Sequence, residues 1–483
     1  MTLICRNEVF ARIYLVSRYM LAVLHSFSKD LSMPSSPVPG TSKPGISRGR
    51  LAIAVVSTVV EWYDFTLFLY LSSVLSRVFF GDSPTGVVMT LATFAVSYLL
   101  RPVGGLVFGY VGDRWGRRPV LLASMALMFL ATAGMAALPT HAQVGESAAV
   151  WLLALRCLMA FSVGGEYTGV MTYLLESSRA RNRGLVTSLA ASASEVGALL
   201  AAGVSALTVT ALSAPEVEQW GWRIPFIVGG VLAGLILALR SALPETPLFL
   251  QSRFKARQEP LPSVLRRQWR AIVRTFIISG LCSAAYYVGI IYLPTYLISV
   301  RNWSESSALG LATLAAVAVV LASPVAGWLS DRYGRRATLL VLAVAAVVLP
   351  VPMFTAASQS TVGAAVAAAV VLACLAGSLS AVGASAIPEQ FDVRGRLTAL
   401  AIGGTVATTI FGGIAPYAVQ TLTESTGWPL VPGLLIAVVA LAAIPAIRRG
   451  PETAAPRGEQ PAPLAVAPLA TADADLKGVK DHA

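Results

Sequence analysis

Long apolar runs dominate the chain from Leu51 to Ile447, and polar residues are confined mostly to short breaks between them. A helix that crosses a bilayer needs ~20 mostly apolar residues. Twelve runs meet that length, at 51–80, 86–111, 120–138, 148–175, 185–212, 222–243, 272–300, 305–330, 338–358, 361–387, 397–423 and 428–447. Each is expected to be helical, because lipid offers backbone N–H and C=O groups no partner outside the segment itself. The pattern predicts an all-α integral membrane protein of twelve transmembrane helices. One long polar interruption, LPETPLFLQSRFKARQEPLPSVLRRQWRA from Leu243, separates six runs from six. The expected organisation is a leader over 1–50, one six-helix bundle over 51–243 and a linker over 244–271. A second six-helix bundle over 272–447 and a tail over 448–483 complete it. The Pro/Ser/Gly-rich leader and the Ala/Pro-rich tail both read as disordered. The leader's apolar patch RIYLVSRYMLAVL is interrupted by Arg18 and lacks a small-residue cleavage site, so it does not read as a signal peptide. Met33 is an alternative start of translation.

Composition sharpens this picture. Of 483 residues, 56% are hydrophobic and 12% charged, against about a quarter charged in soluble chains. The net charge of +12 would suit nucleic acid if it formed one face. Instead the basic residues fall in alternate loops, at Arg114, Arg117, Arg118, Arg179, Arg181, Arg183, Arg332, Arg335, Arg336, Arg394 and Arg396, and in the linker. The intervening loops carry little beyond Arg77, Arg223 and Arg301. This asymmetry predicts a multi-pass protein of the inner membrane with both termini cytoplasmic, and excludes nucleic acid as a partner. Cys5, Cys157, Cys282 and Cys374 show no paired spacing, so neither a disulfide nor a metal site is expected. His25, His141 and His482 lie outside the runs, and no Ser/His/Asp set converges, so an enzyme is not expected.

Two motifs occur twice. GYVGDRWGRRP from Gly109 returns as GWLSDRYGRRA from Gly327, 218 residues later, each time between the second and third runs of its half. ESSRARNR and EQFDVRGR follow the fourth and tenth runs and share Glu-x4-Arg-x-Arg, at Glu176, Arg181, Arg183 and at Glu389, Arg394, Arg396. Recurrence in equivalent loops implies internal duplication, and parallel halves imply a substrate site at their interface near mid-membrane. In the first motif, Gly109 and Gly327 permit close approach of helices, and Gly116 and Gly334 permit a tight turn. Asp113 and Asp331 are placed to pair with arginine or to face a helix N-terminus. Arg114, Arg117, Arg332 and Arg335 complete a charge latch that must release when the halves rock, or an anchor at anionic headgroups.

On twelve spans, this repeated loop resembles that of the major facilitator superfamily. EWYDFTLFLY, RPVGGLVFGYVGDRWGRR, FSVGGEYTG, WGWRIPF, PETPLF and FGGIAPY narrow the resemblance to its metabolite:proton symporter family, from about Leu51 to Arg449. That family includes proline/betaine, citrate, α-ketoglutarate and shikimate transporters. The resemblance implies proton-coupled import of a small carboxylate or zwitterion by alternating access. The protein would act as a monomer, need no cofactor, and have protons, its substrate and the bilayer as partners. A proton-antiport exporter is the alternative, although the fifth run lacks the proline-rich stretch of such exporters; a receptor that binds without transporting is another. Two departures stand out: Glu195 replaces the more usual neutral amide, and the tail lacks the heptads of osmosensing members.

An ionisable side chain at the centre of a span costs about 2.5–3.5 kcal/mol, so each is a functional candidate. Six stand away from the ends of the runs, namely Glu61, Asp64, Arg101, Arg156, Glu166 and Glu195, and all belong to the first half. At ~1.5 Å per residue, Asp64 and Arg156 reach matching depths, as do Arg101 and Glu166 in the inner half. These are the expected pairs. Asp64 facing Arg156 would be held ionised and would take up a proton when the pair opened in a dry site. Sugar:proton porters resemble this arrangement, and Glu61, three residues before Asp64, is the second candidate for proton coupling. The alternative is a static buried pair. The second half offers aromatic groups instead, and Tyr286, Tyr287, Tyr292 and Tyr417 are the substrate candidates; their ring faces suit an ammonium. Four buried acids against two arginines disfavour a multiply charged anion. Proline or betaine would satisfy both signs, and a mono- or dicarboxylate taken up with protons stays open.

Overall fold

The computed structural model describes residues 48–81, 86–253, 261–301, 303, 305–359, 361–393 and 395–454. Most of the leader, part of the linker, Arg394 and most of the tail lie outside the described residues. Among the described residues, eleven helices are long and apolar enough to cross a membrane, and a bent pair, taken as one span, makes a twelfth. In order, spans one to six are Gly49–Tyr70, Ala92–Trp115, Arg117–Ala137, Ser147–Ser177, Ala180–Ala211 and Arg223–Ser241. Spans seven to twelve are Arg266–Ile298, Gly310–Tyr333, Arg335–Val348 with Pro350–Ala357, Val362–Gln390, Arg396–Thr426 and Val431–Arg448. The bend of 42° in span nine falls at Pro350, which has no N–H for the helix ladder. Span seven belongs to a helix that begins at Leu261, inside the expected linker, and the linker also contains a short helix, Pro247–Arg253.

The duplication seen in the loops is also present in the packing. Span one packs on five, two on four, and three on six; in the second half seven packs on eleven, eight on ten, and nine on twelve. The interface between bundles obeys the same symmetry, with span two against eleven and span five against eight. One apolar cluster around Phe68, Phe79 and Trp222 holds the first bundle, and a larger one around Tyr296, Phe354 and Leu372 holds the second and reaches across the interface to Phe65 and Tyr98.

Local irregularities in the spans position the polar groups. Span two is interrupted between Tyr98 and Leu100, just before Pro102, whose ring cannot fill the preceding helical turn. Span seven widens into a π turn at Tyr287–Ile291 ahead of Pro294, and span eleven does so at Thr409–Ile414 ahead of Pro416. Such turns release backbone groups that proline would leave without a donor, and they are common at functional sites. The two wide turns meet, because a side chain at Gly412 would strike the ring of Tyr287.

Candidate functional site: a cavity between the bundles and a paired charge latch

A cavity of about 170 Å³ lies between the bundles. Its ionisable walls are Glu61 of span one, Arg101 of span two and Glu195 of span five. Trp62, Tyr286 and Tyr287 supply aromatic surface, and Ser279, Ser283 and Thr408 supply hydroxyls. The break in span two sets Arg101 against Tyr98: its Nη1 donates to the phenol oxygen at 2.6 Å, and its guanidinium lies 4.6 Å from the Phe65 ring centre. Tyr98 and Tyr287 share a hydrogen bond of 2.7 Å across the bundle interface. A second cross-bundle bond runs from the Tyr286 hydroxyl to Glu195 Oε1. Trp62 stands edge-on to Tyr286 with ring centres 5.7 Å apart. The backbone at Arg101 can approach span four only because residue 164 is glycine; any Cβ there would collide with the Arg101 carbonyl.

The sequence-derived pairs are only partly assembled. Asp64 is 1% exposed and Arg156 2% exposed, yet neither lines the cavity. They form no ion pair. Asp64 accepts from the Thr132 hydroxyl of span three, and its Oδ1 is buried without a hydrogen-bond partner. Arg156 lies 4.3 Å from the Phe68 ring centre, donates to Met159 Sδ, and leaves Nε unpartnered. The expected pairing of Arg101 with Glu166 is not observed. Glu166 binds Arg240 of span six instead, which donates through both Nη atoms, and Ser124 Oγ adds a bond of 2.5 Å. Depth along a span fixes height but not azimuth, and Arg240 stands close enough to the end of its run to read as a boundary charge. Of the tyrosines, Tyr286 and Tyr287 reach the cavity. Tyr292 is buried against Gln420, to which it donates at 2.6 Å, and Tyr417 is 75% exposed; neither lines the cavity.

The repeated loops form two matching networks at one end of the molecule. Asp113 accepts from the backbone N–H groups of Leu397 and Thr398, at 3.2 and 2.9 Å, at the start of span eleven. Asp331 accepts from Gly184 and Leu185, both at 2.8 Å, at the start of span five. Each carboxylate therefore caps a helix of the opposite bundle, where the helix dipole favours negative charge. Arg117 binds Glu176 at 3.0 Å and Asp113 at 3.4 Å; Arg335 binds Glu389 at 3.2 Å and Asp331 at 2.8 Å. Gly116 and Gly334 adopt φ of +117° and +99°, which favours glycine. Gly109 packs on the backbone at Thr398, and Gly327 on Gly184. Arg114 donates to Tyr110 and Arg332 lies over Trp328; both stay outside the networks.

A third echo was missed in the sequence. Pro-Glu-Thr occurs at 244–246 after span six and at 451–453 after span twelve. Glu245 accepts from the N–H groups of Arg117 and Arg118, at 3.0 and 3.1 Å. Glu452 accepts from those of Arg335 and Arg336, at 2.8 and 3.1 Å. Thr246 donates to Glu176 at 2.6 Å, and Thr453 to Glu389 at 2.7 Å. The start of the tail, expected to be disordered, is thus docked through residue 453. Symmetry fails at the outer arginine: Arg396 crosses to Glu176 at 3.0 Å, but its counterpart Arg183 makes no ion pair with Glu389 and leaves Nε unpartnered.

Comparison with known proteins agrees with this architecture. A family model described as sugar (and other) transporter matches residues 51–267, and one described as Major Facilitator Superfamily matches 307–477. The chain is 34% identical over 402 residues to the ectoine/proline transporter of Corynebacterium glutamicum, covering 79% of each. It is 32% identical to the proline/betaine transporter of Escherichia coli, covering 82% of each. To a citrate-proton symporter of Salmonella typhi it is 30% identical, covering 84% of this chain and 94% of that one. In fold it matches the proton:xylose symporter XylE with a TM-score of 0.70 at 20% identity, over 84% of this chain and 96% of that one. With its doubled six-span bundles, central cavity and duplicated loop network, the chain belongs to the major facilitator superfamily, among its metabolite:proton symporters.

Proposed function

We propose that this protein imports a small zwitterionic or carboxylate metabolite together with protons, by alternating access. The observation that carries the reading is the cavity between the bundles, where Arg101 faces two carboxylates, Glu61 and Glu195, beside Trp62, Tyr286 and Tyr287. Arg101 suits a substrate carboxylate, through charge-assisted hydrogen bonds. The aromatic faces and acids suit an ammonium. Relatives named as proline/betaine, ectoine/proline and citrate-proton transporters support this range. Asp64 is the proposed proton carrier: it is sealed from the cavity, is not ion-paired and lies within reach of Arg156's field, so its charge can change without displacing substrate. The arginine-rich latch end is read as the cytoplasmic face of the inner membrane, with both termini on that side. The protein is read as a monomer that needs no cofactor and performs no covalent chemistry. Thermal-shift screening of purified protein with proline, betaine, ectoine, citrate and short monocarboxylates tests the substrate class, since a ligand stabilises the state that binds it. Stabilisation by at least one of them at millimolar concentration is expected; no response to any would overturn the reading.

A further inference from the structure

Glu195 is a cavity carboxylate held by a phenol of the opposite bundle. Glu166 is matched by Arg240, and Glu61 shares the cavity wall with Arg101. Glu195 is 3% exposed and has no ion pair among the described residues; its only hydrogen bond comes from the Tyr286 phenol, to Oε1. An uncompensated buried carboxylate is costly, so a cation or a proton must complete the site. The cavity itself carries one guanidinium against two carboxylates. Once a substrate carboxylate has taken Arg101, both acids remain for the positive end of the same molecule.

We propose that Glu195 is a specificity-determining residue that selects substrates whose cationic nitrogen carries N–H, such as a secondary ammonium, over fully alkylated ones. The inference rests on the zwitterion reading above. Tyr286 occupies Oε1, and Oε2 accepts no bond among the described residues. A secondary ammonium donates a charge-assisted hydrogen bond to such an oxygen. A quaternary ammonium cannot donate, and would rely on the faces of Trp62, Tyr286 and Tyr287. The Tyr286–Tyr287 and Trp62–Tyr286 ring pairs stand at 76° and 74°, with centres 5.3 and 5.7 Å apart, and all three rings line the cavity. Because Glu195 and Tyr286 belong to opposite bundles, a nitrogen bound there would contact both halves.

The test compares labelled proline, which carries N–H, with labelled glycine betaine, which does not, in proteoliposomes of wild type, Glu195→Gln and Glu195→Asp. The KM ratio of the two substrates is independent of how much protein inserts, so poor folding cannot mimic the effect. Glu195→Gln is expected to raise the proline KM at least tenfold and the betaine KM less than threefold, while betaine is still accumulated along a proton gradient. Glu195→Asp should retain most of the preference. Equal changes in both KM values, no change in either, or loss of gradient-driven betaine accumulation at an unchanged ratio would overturn the proposal. The last outcome would make Glu195 a proton site. A wild type that binds neither substrate would instead overturn the zwitterion reading beneath it.

Discussion

At the scale of single residues, the intramembrane charges fall into three kinds: lining the cavity, sealed beside it, and paired away from it. Asp64 is the sealed kind. Asp64→Asn removes the titrating proton but keeps nearly the same volume and hydrogen-bonding capacity. Accumulation along an imposed proton gradient should therefore disappear, while exchange of internal for external substrate continues with KM within about threefold, under 0.7 kcal/mol. Gradient-driven uptake and exchange measured side by side decide this, and an accumulating mutant would hand the role to Glu61. Glu166 and Arg240 are the paired kind. Glu166→Gln leaves a guanidinium buried without its counter-charge, a loss of about 3–5 kcal/mol in comparable pairs. A clear fall in melting temperature is expected, partly restored by adding Arg240→Gln. Sequence alone identified these charges except Arg240, because a charge in the middle of an apolar run has no ordinary explanation, whereas Arg240 stands near the end of its run. It did not identify the partners, which depend on helix rotation and on neighbours far along the chain. The Glu166–Arg240 pair is separated by 74 residues and joins spans four and six.

At the scale of elements, the twelve spans and the repeated loops were legible because lipid enforces helix and because duplication leaves equal motifs in equal places. The wide turns of spans seven and eleven were not; they follow prolines whose consequences depend on what packs opposite. Nor was the Pro-Glu-Thr echo, a tripeptide too short to stand out until both copies were seen capping equivalent helices. The latch yields its own predictions. Asp113→Asn weakens a cap on span eleven that exists only while the bundles meet at this end, so turnover should fall several-fold with substrate affinity changed by less than about threefold, under 0.7 kcal/mol. An affinity collapse without a change of turnover would contradict the latch. The asymmetry of the outer pair is also testable. Arg396→Gln removes a cross-bundle ion pair and should change turnover more than Arg183→Gln, which removes none. Equal effects in transport rates normalised to inserted protein would mean that the asymmetry has no consequence for the transport cycle.

At the scale of the whole molecule, two bundles related by pseudo-symmetry meet through reciprocal caps at one end and two phenol-mediated bonds at the cavity. Reciprocal contacts of modest individual strength can be broken in turn, which is what alternation between two openings requires. Of the groups that line the cavity, the first half supplies the carboxylates and the guanidinium and the second supplies tyrosines and hydroxyls. Proton-coupled import is the claim on which the rest depends. Its most direct measurement uses proteoliposomes of the purified protein, an inward-directed proton gradient, and labelled proline or betaine outside. The account predicts accumulation above the external concentration that collapses when a protonophore dissipates the gradient. Substrate that only equilibrates, at a rate and level indifferent to the gradient, would contradict it.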